Sequence, residues 1–465
     1  MTNVLRFWSR TPMRHSERVA IHGIALIGAE AHGVLDEYNH RLTLGPDEEF
    51  TIIYGPNGVG KTKFLEIIHA MCRVDGGTLS RLPFTDARLS FSDGTVLFVG
   101  PTSSDEPAPN ERRRARRRLT FSLTRPTGEP ETWDYAGDDS FDWLIENTSW
   151  RPIENDLWED FRDGEVLPLA ELEDRFPEFK EREDRLPTVF RSFRRVVKSY
   201  LIETQRLRIE SIVDRPRTFA PRPNQRRKHT SKIVDHAEKM RGLLGGAQAQ
   251  HSTITQQLDR TFPNRVLEGS MPPWDVEQVR QRYEEQNAFR SRLGRVASVD
   301  LAEELSLPDR ELEGWEIRLL TQYLDDAVQK LAPFETLLHK IELFEAIVNT
   351  RLLRKKLRVT AKDGLLVQHD PKGHTIDLNS LSSGEQHEII LMFDLLFNVP
   401  EGALVLIDEP EISLHVVWQM AFIPDVQRIA EIAGFRFVVA THSPQIINDS
   451  WDRAIALGPE EAPFT

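Results

Sequence analysis

Hydrophobic positions along the chain follow two rhythms, one typical of buried strands and the other of packed helices. The apolar run Phe50–Tyr54 predicts a buried strand that leads directly into a glycine-rich segment. In the next segment, Lys61–Cys72, apolar residues recur at helical spacing. Ala403–Ile407 and Phe435–Ala440 are hydrophobic at nearly every position, as expected for strands covered on both faces. Buried strands that alternate with helices predict an α/β protein with a mainly parallel sheet.

Two hairpins and an acidic stretch are predicted elsewhere in the chain. Ala87–Phe91 and Thr95–Val99 flank a Ser-Asp-Gly turn. Leu357–Thr360 and Leu365–His369 flank a Lys-Asp-Gly turn. Strand-like runs around such turns predict antiparallel strand pairs. Residues 136–195 are acidic and rich in Pro and Trp, with a periodicity too weak to predict elements.

A 3-4 spacing of apolar residues over two long segments predicts paired helices in the middle of the chain. One seam covers residues 233–258 and the other covers residues 317–352, each with a single polar member. A period near 3.5 residues is typical of a coiled coil or a close helix pair. Gly245 and Gly246 should weaken the first helix, and Pro333 should kink the second. A short protruding arm and an ordinary helical bundle both fit this pattern.

Composition adds limits on the class of protein. The chain has 465 residues and a net charge of −14, and 39% of its residues are hydrophobic, as in globular proteins with polar helices. It contains no apolar run of about 18 residues, so no membrane span is expected. The first residues lack the apolar core of a signal peptide, which favours a cytoplasmic location. The single cysteine, Cys72, is expected to be a buried thiol.

The charge is distributed unevenly. Segment 111–118 holds six Arg against one Glu, and segment 206–228 holds eight basic residues against two acidic ones. Segment 138–184 has the opposite bias, with 17 acidic and five basic residues. The basic runs suit DNA or another polyanion, whose binding would depend strongly on salt. A solvated edge strand or loop fits the run at 111–118 equally well.

A phosphate-binding loop follows the strand Phe50–Tyr54. The pattern GxxxxGK[ST] is matched by Gly55, Pro56, Asn57, Gly58, Val59, Gly60, Lys61 and Thr62. Backbone N–H groups of such a loop surround the β-phosphate, assisted by the positive end of the helix that follows. Lys61 would neutralise the β and γ oxygens, and Thr62 would hold Mg²⁺. ATP and Mg²⁺ are therefore the predicted cofactors.

A pair of carboxylates ends the apolar strand at Ala403–Ile407. Asp408 is placed to reach the Mg²⁺ shell, and Glu409 to activate the water that attacks the γ-phosphate. The alternative for this segment alone is a core strand that ends in a solvated acidic turn. Beside a phosphate loop, the Walker B interpretation is favoured.

The segment Leu381–Gln386 (LSSGEQ) resembles the LSGGQ/LSGGE signature of ABC ATPases, with Ser383 where the family usually has glycine. The resemblance implies that Ser382 and the backbone near Gly384 bind the γ-phosphate of ATP held by an opposite subunit. It makes Ser382, Ser383, Gly384 and Glu385 candidate nucleotide-binding residues. ATP would then lie between two protomers, which implies a homodimer or a higher homo-oligomer.

Other family motifs follow the same order. His442, directly after the strand Phe435–Ala440, matches the switch histidine that contacts the γ-phosphate, which makes Lys61, Glu409 and His442 the catalytic candidates. Gln205 is the candidate Q-loop ligand for Mg²⁺ or water, although an ordinary surface glutamine also fits. Glu411–His415 occupies the D-loop position but departs from the transporter form SALD, so its contacts are not predicted.

The interval from Thr62 to Leu381 is 319 residues, far longer than in transporter ATPases. An insertion with 3-4 periodic helices resembles those of SMC, DNA-repair, OLD-like and anti-phage ATPases. The strongest likeness, to ATPase subunits of phage-defence systems such as PARIS or Septu, is carried by LSSGEQHEIILMFDLLF, LVLIDEPEISLHVVWQ and VVATHSPQIINDSWD. The 23 residues after His442 do not accommodate an OLD-type Toprim nuclease, so a separate effector chain is expected.

The resemblance implies an ABC-ATPase (P-loop) head with a mixed sheet and an inserted helical, partly coiled-coil-like region. Residues 1–205 would form the first part of the head, residues 206–356 the insertion, and residues 357–465 the second part of the head.

Two functions follow from this sequence. The first is a sensor and regulatory ATPase of anti-phage defence that responds to a phage component and controls a toxic effector such as a nuclease. The acidic segment 138–184 would then dock the effector, or simply be a solvated surface. The second is a DNA-repair or chromosome-handling ATPase that binds DNA through its basic runs.

Overall fold

The computed structural model describes residues 24–45, 48–102, 118–135, 140–154, 157–160, 162, 165–168, 171–172, 175–179, 186–203, 231–268, 274–297 and 306–458. The described residues form two compact units. The first contains 24–203 and 398–458, and the second contains 231–397.

The strands are β1 (Leu26–Val34), β2 (Tyr38–Thr43), β3 (Phe50–Tyr54), β4 (Asp86–Phe91), β5 (Val96–Pro101), β6 (Leu119–Thr124), β7 (Glu131–Tyr135), β8 (Trp150–Glu154), β9 (Leu157–Asp160), β10 (Val166–Pro168), β11 (Ser199–Ile202), β12 (Lys355–Thr360), β13 (Gly364–His369), β14 (Thr375–Ile376), β15 (Leu404–Asp408), β16 (Arg436–Thr441) and β17 (Ala454–Ala456). The α-helices are α1 (Lys61–Cys72), α2 (Gly76–Leu79), α3 (Ser140–Asn147), α4 (Thr188–Val196), α5 (Lys232–Glu268), α6 (Val276–Gly294), α7 (Gly314–Asn349), α8 (Ser383–Phe393), α9 (Val416–Ala433) and α10 (Pro444–Ile447). Short 3₁₀ turns cover Leu378–Ser380, Pro410–Ser413 and Trp451–Arg453, and a π-helical turn covers Asp394–Asn398.

A parallel sheet of strand order β11-β15-β16-β3-β17 lies at the centre of the first unit. Its register pairs Asp408 with Ala440 and Thr441 with Tyr54. The carboxyl ends of β3, β15 and β16 therefore meet at one edge of the sheet, which is where open α/β sheets bind their ligands. The predicted α/β class with a buried parallel sheet is confirmed.

A second sheet in this unit is antiparallel, with the order β2-β1-β4-β5-β6-β7. The predicted hairpin is present as β4 and β5, which pair from Ala87–Val99 to Ser90–Val96. Its apolar face packs with Phe64 and Leu65 of α1 in one continuous core. The helix that follows the phosphate loop is thus held by both sheets.

A small sheet of order β10-β9-β8 lies in the acidic stretch for which the sequence predicted no element. Its strands surround a cluster that contains Trp150, Trp158 and Phe179, all buried. Aromatic burial stabilises this short-stranded region although its polar residues hide the alternation.

The second unit contains the long helices. Helix α5 has 37 residues and α7 has 36, and both α5 and α6 pack against α7. The polar members of the predicted seams have partners: His251 Nδ1 donates to the Lys330 carbonyl oxygen (2.6 Å), and Glu345 Oε1 accepts from the Val359 amide (2.7 Å). Pro333 lies inside α7 without ending it.

The hairpin β12–β13 belongs to this same unit, since β13 packs on α5 and β12 on α7. The division into segments 1–205, 206–356 and 357–465 stays a prediction, but the compact units group residues 357–397 with the helices rather than with the following strands. In the part of the chain that the structure describes, no helix is long and apolar enough to cross a membrane.

Candidate functional site

The phosphate loop joins β3 to α1 through backbone conformations that favour glycine. Gly58 has φ of 91° and Gly60 has φ of 88°, both in the left-handed region. A side chain at Gly60 would place its Cβ 2.8 Å from Cγ1 of Val34. This conformation leads the loop directly into the N-terminus of a 12-residue helix, a site suited to anions.

Lys61 is buried, with 4% of its surface exposed. Its Nζ donates to the carbonyl oxygens of Gly55 (2.9 Å) and Pro56 (3.1 Å). Burial lowers the pKa of Lys61, and the negative charges of Glu409, Glu411 and Asp408 oppose that shift. The loop therefore holds the ammonium group among its own carbonyls, beside the carboxylates at the end of β15.

Thr62 and Asp408 face each other across the edge of the parallel sheet. The Thr62 hydroxyl donates to Asp408 Oδ1 (3.1 Å) and Oδ2 (3.0 Å), and Asp408 is buried. A hydroxyl and a single carboxylate suit Mg²⁺, which proteins often bind with one or two carboxylates, waters and substrate phosphate oxygens. Among the described residues, no group of three or more His, Cys, Asp or Glu side chains forms a metal site of its own.

Glu409 adopts a backbone conformation that is rare for a residue with a side chain. Its φ is 41°, and its N–H donates to the Ala440 carbonyl oxygen (2.8 Å). Its Oε1 lies 3.9 Å from Lys61 Nζ and 3.9 Å from His442 Nδ1. Residues held in sparsely populated backbone regions cluster at functional sites, and this one is the predicted catalytic carboxylate.

His442 follows β16 and contacts a carboxylate that the sequence analysis did not assign. Its Nδ1 lies 3.0 Å from Oε1 of Glu411, and its backbone N–H donates to the same oxygen (2.8 Å). Pro410 starts a 3₁₀ turn that carries Glu411 back toward the end of β16. The sequence signal was a further acidic residue two positions after Glu409, inside the segment whose contacts were not predicted.

A cleft of about 280 Å³ opens beside these groups, lined by Glu411, Ile412, Gln419, His442, Ser443, Pro444 and Gln445. The site also combines three carboxylates with Lys61. Such an excess of negative charge opposes the binding of a polyphosphate unless a cation accompanies it. The electrostatics therefore fit a nucleotide that arrives with its divalent metal.

The structure thus brings together Lys61, Thr62, Asp408, Glu409 and His442. The signature residues Ser382–Glu385 lie in the second compact unit, at the start of α8. Ser382 is the N-cap: its side chain accepts from the Glu385 amide (3.4 Å), and its own amide donates to Glu385 Oε2 (2.9 Å). This capping box orders the helix N-terminus that the family resemblance assigns to phosphate binding.

Glu385 is fixed from a second side. Burial disfavours its charged form, but hydrogen bonds from Lys355 and Ser382 outweigh this and lower its pKa. Lys355 Nζ lies 2.8 Å from both carboxylate oxygens. Farther along α8, Glu388 is paired with Arg351 in a buried contact. Side chains from β12 and from just after α7 therefore hold the signature helix.

Asp394 ends this series, in the π-helical turn after α8. Its carboxylate contacts Lys232 Nζ (3.1 Å) and His236 Nε2 (2.8 Å), both on α5. Burial disfavours ionisation, but the two partners outweigh it and lower the pKa of Asp394 to about 2. The first turns of α5 are thereby joined to the end of the signature helix.

Three predicted features lie outside the described residues: Gln205, residues 111–117 of the first basic run, and all of 206–228. Cys72 is buried, as predicted, and burial raises the pKa of its thiol to about 12.

Comparison with known proteins supports the nucleotide-binding class. A family model described as "AAA domain, putative AbiEii toxin, Type IV TA system" matches residues 272–448. That range covers less than half of the chain but includes the signature, Walker B and His442 segments. A search of curated proteins gave no match.

Three solved structures are similar at low identity. They are an Smc head domain with an extended coiled coil from Pyrococcus furiosus, bound to the C-terminal domain of ScpA (14% identity, 93% of both chains, TM-score 0.33); an SMC head domain from Thermotoga maritima (13%, 94% of this chain and 100% of that chain, 0.31); and an SmcHead bound to the C-winged helix domain of ScpA (12%, 93% and 94%, 0.35). At these TM-scores the similarities do not define the fold, which rests on the strand order and the glycine loop.

The family match and the phosphate loop together place the chain in the class of P-loop nucleoside triphosphatases.

Proposed function

We propose that this protein binds and hydrolyses ATP with Mg²⁺ as an SMC-like ABC ATPase, at composite sites between two or more copies of the chain. The observation that supports this most strongly is the meeting of Lys61, Thr62, Asp408, Glu409 and His442 at one sheet edge. These side chains come from three separate strand ends, and together they supply the kinds of group that phosphoryl transfer to water uses: a cation, ligands for Mg²⁺, a carboxylate base and a histidine.

The proposed reaction assigns one task to each side chain. The Lys61 ammonium group replaces its hydrogen bonds to the loop carbonyls of Gly55 and Pro56 with contacts to β- and γ-phosphate oxygens. Thr62 and Asp408 would hold Mg²⁺. The metal, when bound, supplies positive charge to the phosphate oxygens. Glu409 takes a proton from a water whose oxygen bonds to the γ-phosphorus. The bond from the γ-phosphorus to the bridging oxygen of ADP breaks, and ADP and phosphate leave. His442 stabilises the γ-phosphoryl group during transfer.

Composite sites are proposed because the signature segment lies at the N-terminus of α8, a position that favours anions. The N-terminus of α8 carries the capped serine Ser382, and helix N-termini favour negative charge. By the family resemblance, this segment would meet the nucleotide bound by another copy. The protein would then alternate between an ATP-bound closed dimer and a separated state.

We further propose a regulatory role in bacterial anti-phage defence, in the cytoplasm, with ATP state controlling a separate toxic effector such as a nuclease. Two observations support it: the resemblance to phage-defence ATPases and the family model, whose description names a toxin of a toxin–antitoxin system. A phage component is the proposed trigger.

The ATPase proposal is tested by steady-state turnover of the purified chain with MgATP. The proposal expects the wild type to hydrolyse ATP and Lys61→Ala to lose this turnover. Glu401→Gln, which removes an exposed charge, is the charge-matched control and should retain it. Absence of turnover in the wild type, with nucleotide bound or not, overturns the enzymatic proposal.

The cellular role is tested by capturing Glu409→Gln from its native cell and identifying partners by mass. An effector that co-purifies supports the defence role. The alternative is favoured by a different result: no effector co-purifies, and the pure protein binds duplex DNA at low salt but loses that binding at moderate salt. This outcome indicates a DNA-handling ATPase.

A further inference from the structure

The carboxylate of Glu411 lies under the loop that carries His442. A single oxygen, Oε1, accepts hydrogen bonds from Thr441 Oγ1 (2.6 Å) and from the His442 amide (2.8 Å), and lies 3.0 Å from His442 Nδ1 in an ion-pair contact. The Glu411 side chain is only 4% exposed. One buried charge therefore holds both the backbone and the ring of the predicted switch histidine.

This contact determines which nitrogen of the ring is available for chemistry. A carboxylate only accepts hydrogen bonds, so its position 3.0 Å from Nδ1 of His442 favours the ring forms that carry a proton on Nδ1. Nε2 is then the nitrogen left for a phosphate oxygen or a water. Because the His442 side chain is 42% exposed, few packing contacts would otherwise fix the ring.

A second carboxylate competes for the same nitrogen. Glu409 Oε1 lies 3.9 Å from His442 Nδ1, against 3.0 Å for Glu411 Oε1. A hydrogen bond from His442 to Glu409 would occupy the oxygen that the proposed reaction needs as a base. Glu411 is the nearer carboxylate, so it draws the ring toward itself and away from a hydrogen bond to Glu409.

The position of Glu411 is itself fixed by neighbouring groups. Gln419 of α9 donates to the carbonyl oxygens of Glu411 (3.4 Å) and Leu414 (3.1 Å), and accepts from Ser443 Oγ (2.8 Å). The turn after β15 and the loop after β16 are thus joined on both sides of the histidine. A carboxylate held this firmly is suited to orient a ring.

We propose that Glu411 is a positioning residue for His442: it fixes the ring with the proton on Nδ1, directs Nε2 to the reacting phosphate, and keeps the ring from hydrogen-bonding to Glu409, the proposed base. This inference rests on the proposed ATPase function and names a residue that acts through another rather than on the nucleotide.

The test is a double-mutant cycle on ATP turnover. Glu411→Gln is close to isosteric, and its amide is a weaker acceptor than the carboxylate because it lacks the charge. We expect kcat to fall about tenfold or more, with KM for MgATP changed less than about twofold. In a His442→Ala background, Glu411→Gln should lower kcat by less than about twofold further. Glu401→Gln serves as the charge-matched control.

The proposal would be overturned if the fold-loss of kcat in the double variant equalled the product of the two single losses, because Glu411 would then act independently of His442. An unchanged kcat in Glu411→Gln would overturn it as well. A rise in KM with kcat intact would indicate a structural or binding role instead.

A readout without turnover separates this proposal from the ATPase proposal. In protein with ¹⁵N-labelled histidine, the His442 ring signals, assigned by their loss in His442→Ala, should show a proton on Nδ1 in the wild type. In Glu411→Ala they should shift toward a mixture of tautomers, whereas identical spectra contradict the proposal. Should Glu411→Ala fail to fold, the same comparison is made with Glu411→Gln.

Discussion

The hydroxyl of Thr62 and the carboxylate of Asp408, 346 positions apart in the chain, are joined by hydrogen bonds of 3.0 and 3.1 Å. Thr62 lies in the first turn of the helix after the phosphate loop, and Asp408 ends β15. Their contact exists because β3 and β15 both pair with β16 in parallel, so that their carboxyl ends share one edge. The proposed metal ligands are thereby pre-arranged by the sheet.

Asp408→Asn should weaken the binding of MgATP far more than the binding of ATP in excess chelator. We expect a loss of about tenfold or more with Mg²⁺ present, since a neutral amide is a poor ligand for a hard cation. Calorimetric titration with and without EDTA measures both. An equal loss under the two conditions would show that Asp408 supports the fold of the loop rather than the metal.

Glu409→Gln and Lys61→Ala should have opposite effects on the nucleotide complex. Glu409→Gln removes the proposed base, so ATP should stay bound and unhydrolysed, with kcat lowered about 100-fold or more. Lys61→Ala removes the charge at the β and γ oxygens and should prevent binding. Filter binding and light scattering with ATP distinguish the two, because only Glu409→Gln should accumulate as a nucleotide-bound dimer. Unchanged turnover in Glu409→Gln contradicts its assigned role.

Gly364→Ala should destabilise the second unit. Gly364 has φ of 70°, and a Cβ there would lie 1.9 Å from the Ala237 carbonyl oxygen of α5. Strain and steric overlap together should cost about 2 kcal/mol or more of unfolding free energy. Denaturant titration followed by circular dichroism measures this.

Gly245→Ala is the matched control for that substitution. Gly245 lies inside α5, and its Cβ would meet open space. There the change should stabilise the helix by about 0.5–1 kcal/mol. Equal effects of the two substitutions would contradict the close approach of the β12–β13 turn to α5.

Asp394→Asn should destabilise the protein at neutral pH by about 3 kcal/mol, because it leaves Lys232 and His236 beside an uncharged group in a buried site. The pKa of Asp394 is lowered in the folded state to about 2 from 3.8, so its ionised form stabilises the fold above about pH 4. That contribution is lost as the pH falls from about 4 to 2. The gap in unfolding free energy between wild type and variant should therefore narrow over this range, whereas exposed Asp309→Asn should show no such gap.

Local patterns in the sequence predicted the parts of the molecule that depend on local rules. The glycine loop, the continuous strands β15 and β16 and the hairpin turns are encoded by adjacent residues. The side chains of Lys61, Thr62, Asp408, Glu409 and His442 lie at one sheet edge, and their roles stay predictions. Gln205 remains a prediction.

What the sequence did not predict depends on tertiary geometry. The contact between Glu411 and His442 requires both the 3₁₀ turn after Glu409 and the register of β16, and a short stretch of sequence reveals neither. Helix α6 was missed because its exposed face is rich in Arg, Glu and Gln, and few apolar positions mark its buried side. The small sheet around Trp150 and Trp158 was missed because its strands have only three to five residues.

The strand order of the parallel sheet also determines when its strands can pair during translation. Strand β3, which carries the phosphate loop, pairs only with β16 and β17 among the described strands, and both are translated after residue 435. At a translation rate of about 5–20 residues per second, roughly 20 to 80 seconds pass between the synthesis of β3 and that of the strands with which it pairs. Long-range pairing of this kind folds slowly. A chain interrupted before β16 contains the glycine loop but lacks His442, so the proposed site is incomplete in unfinished copies.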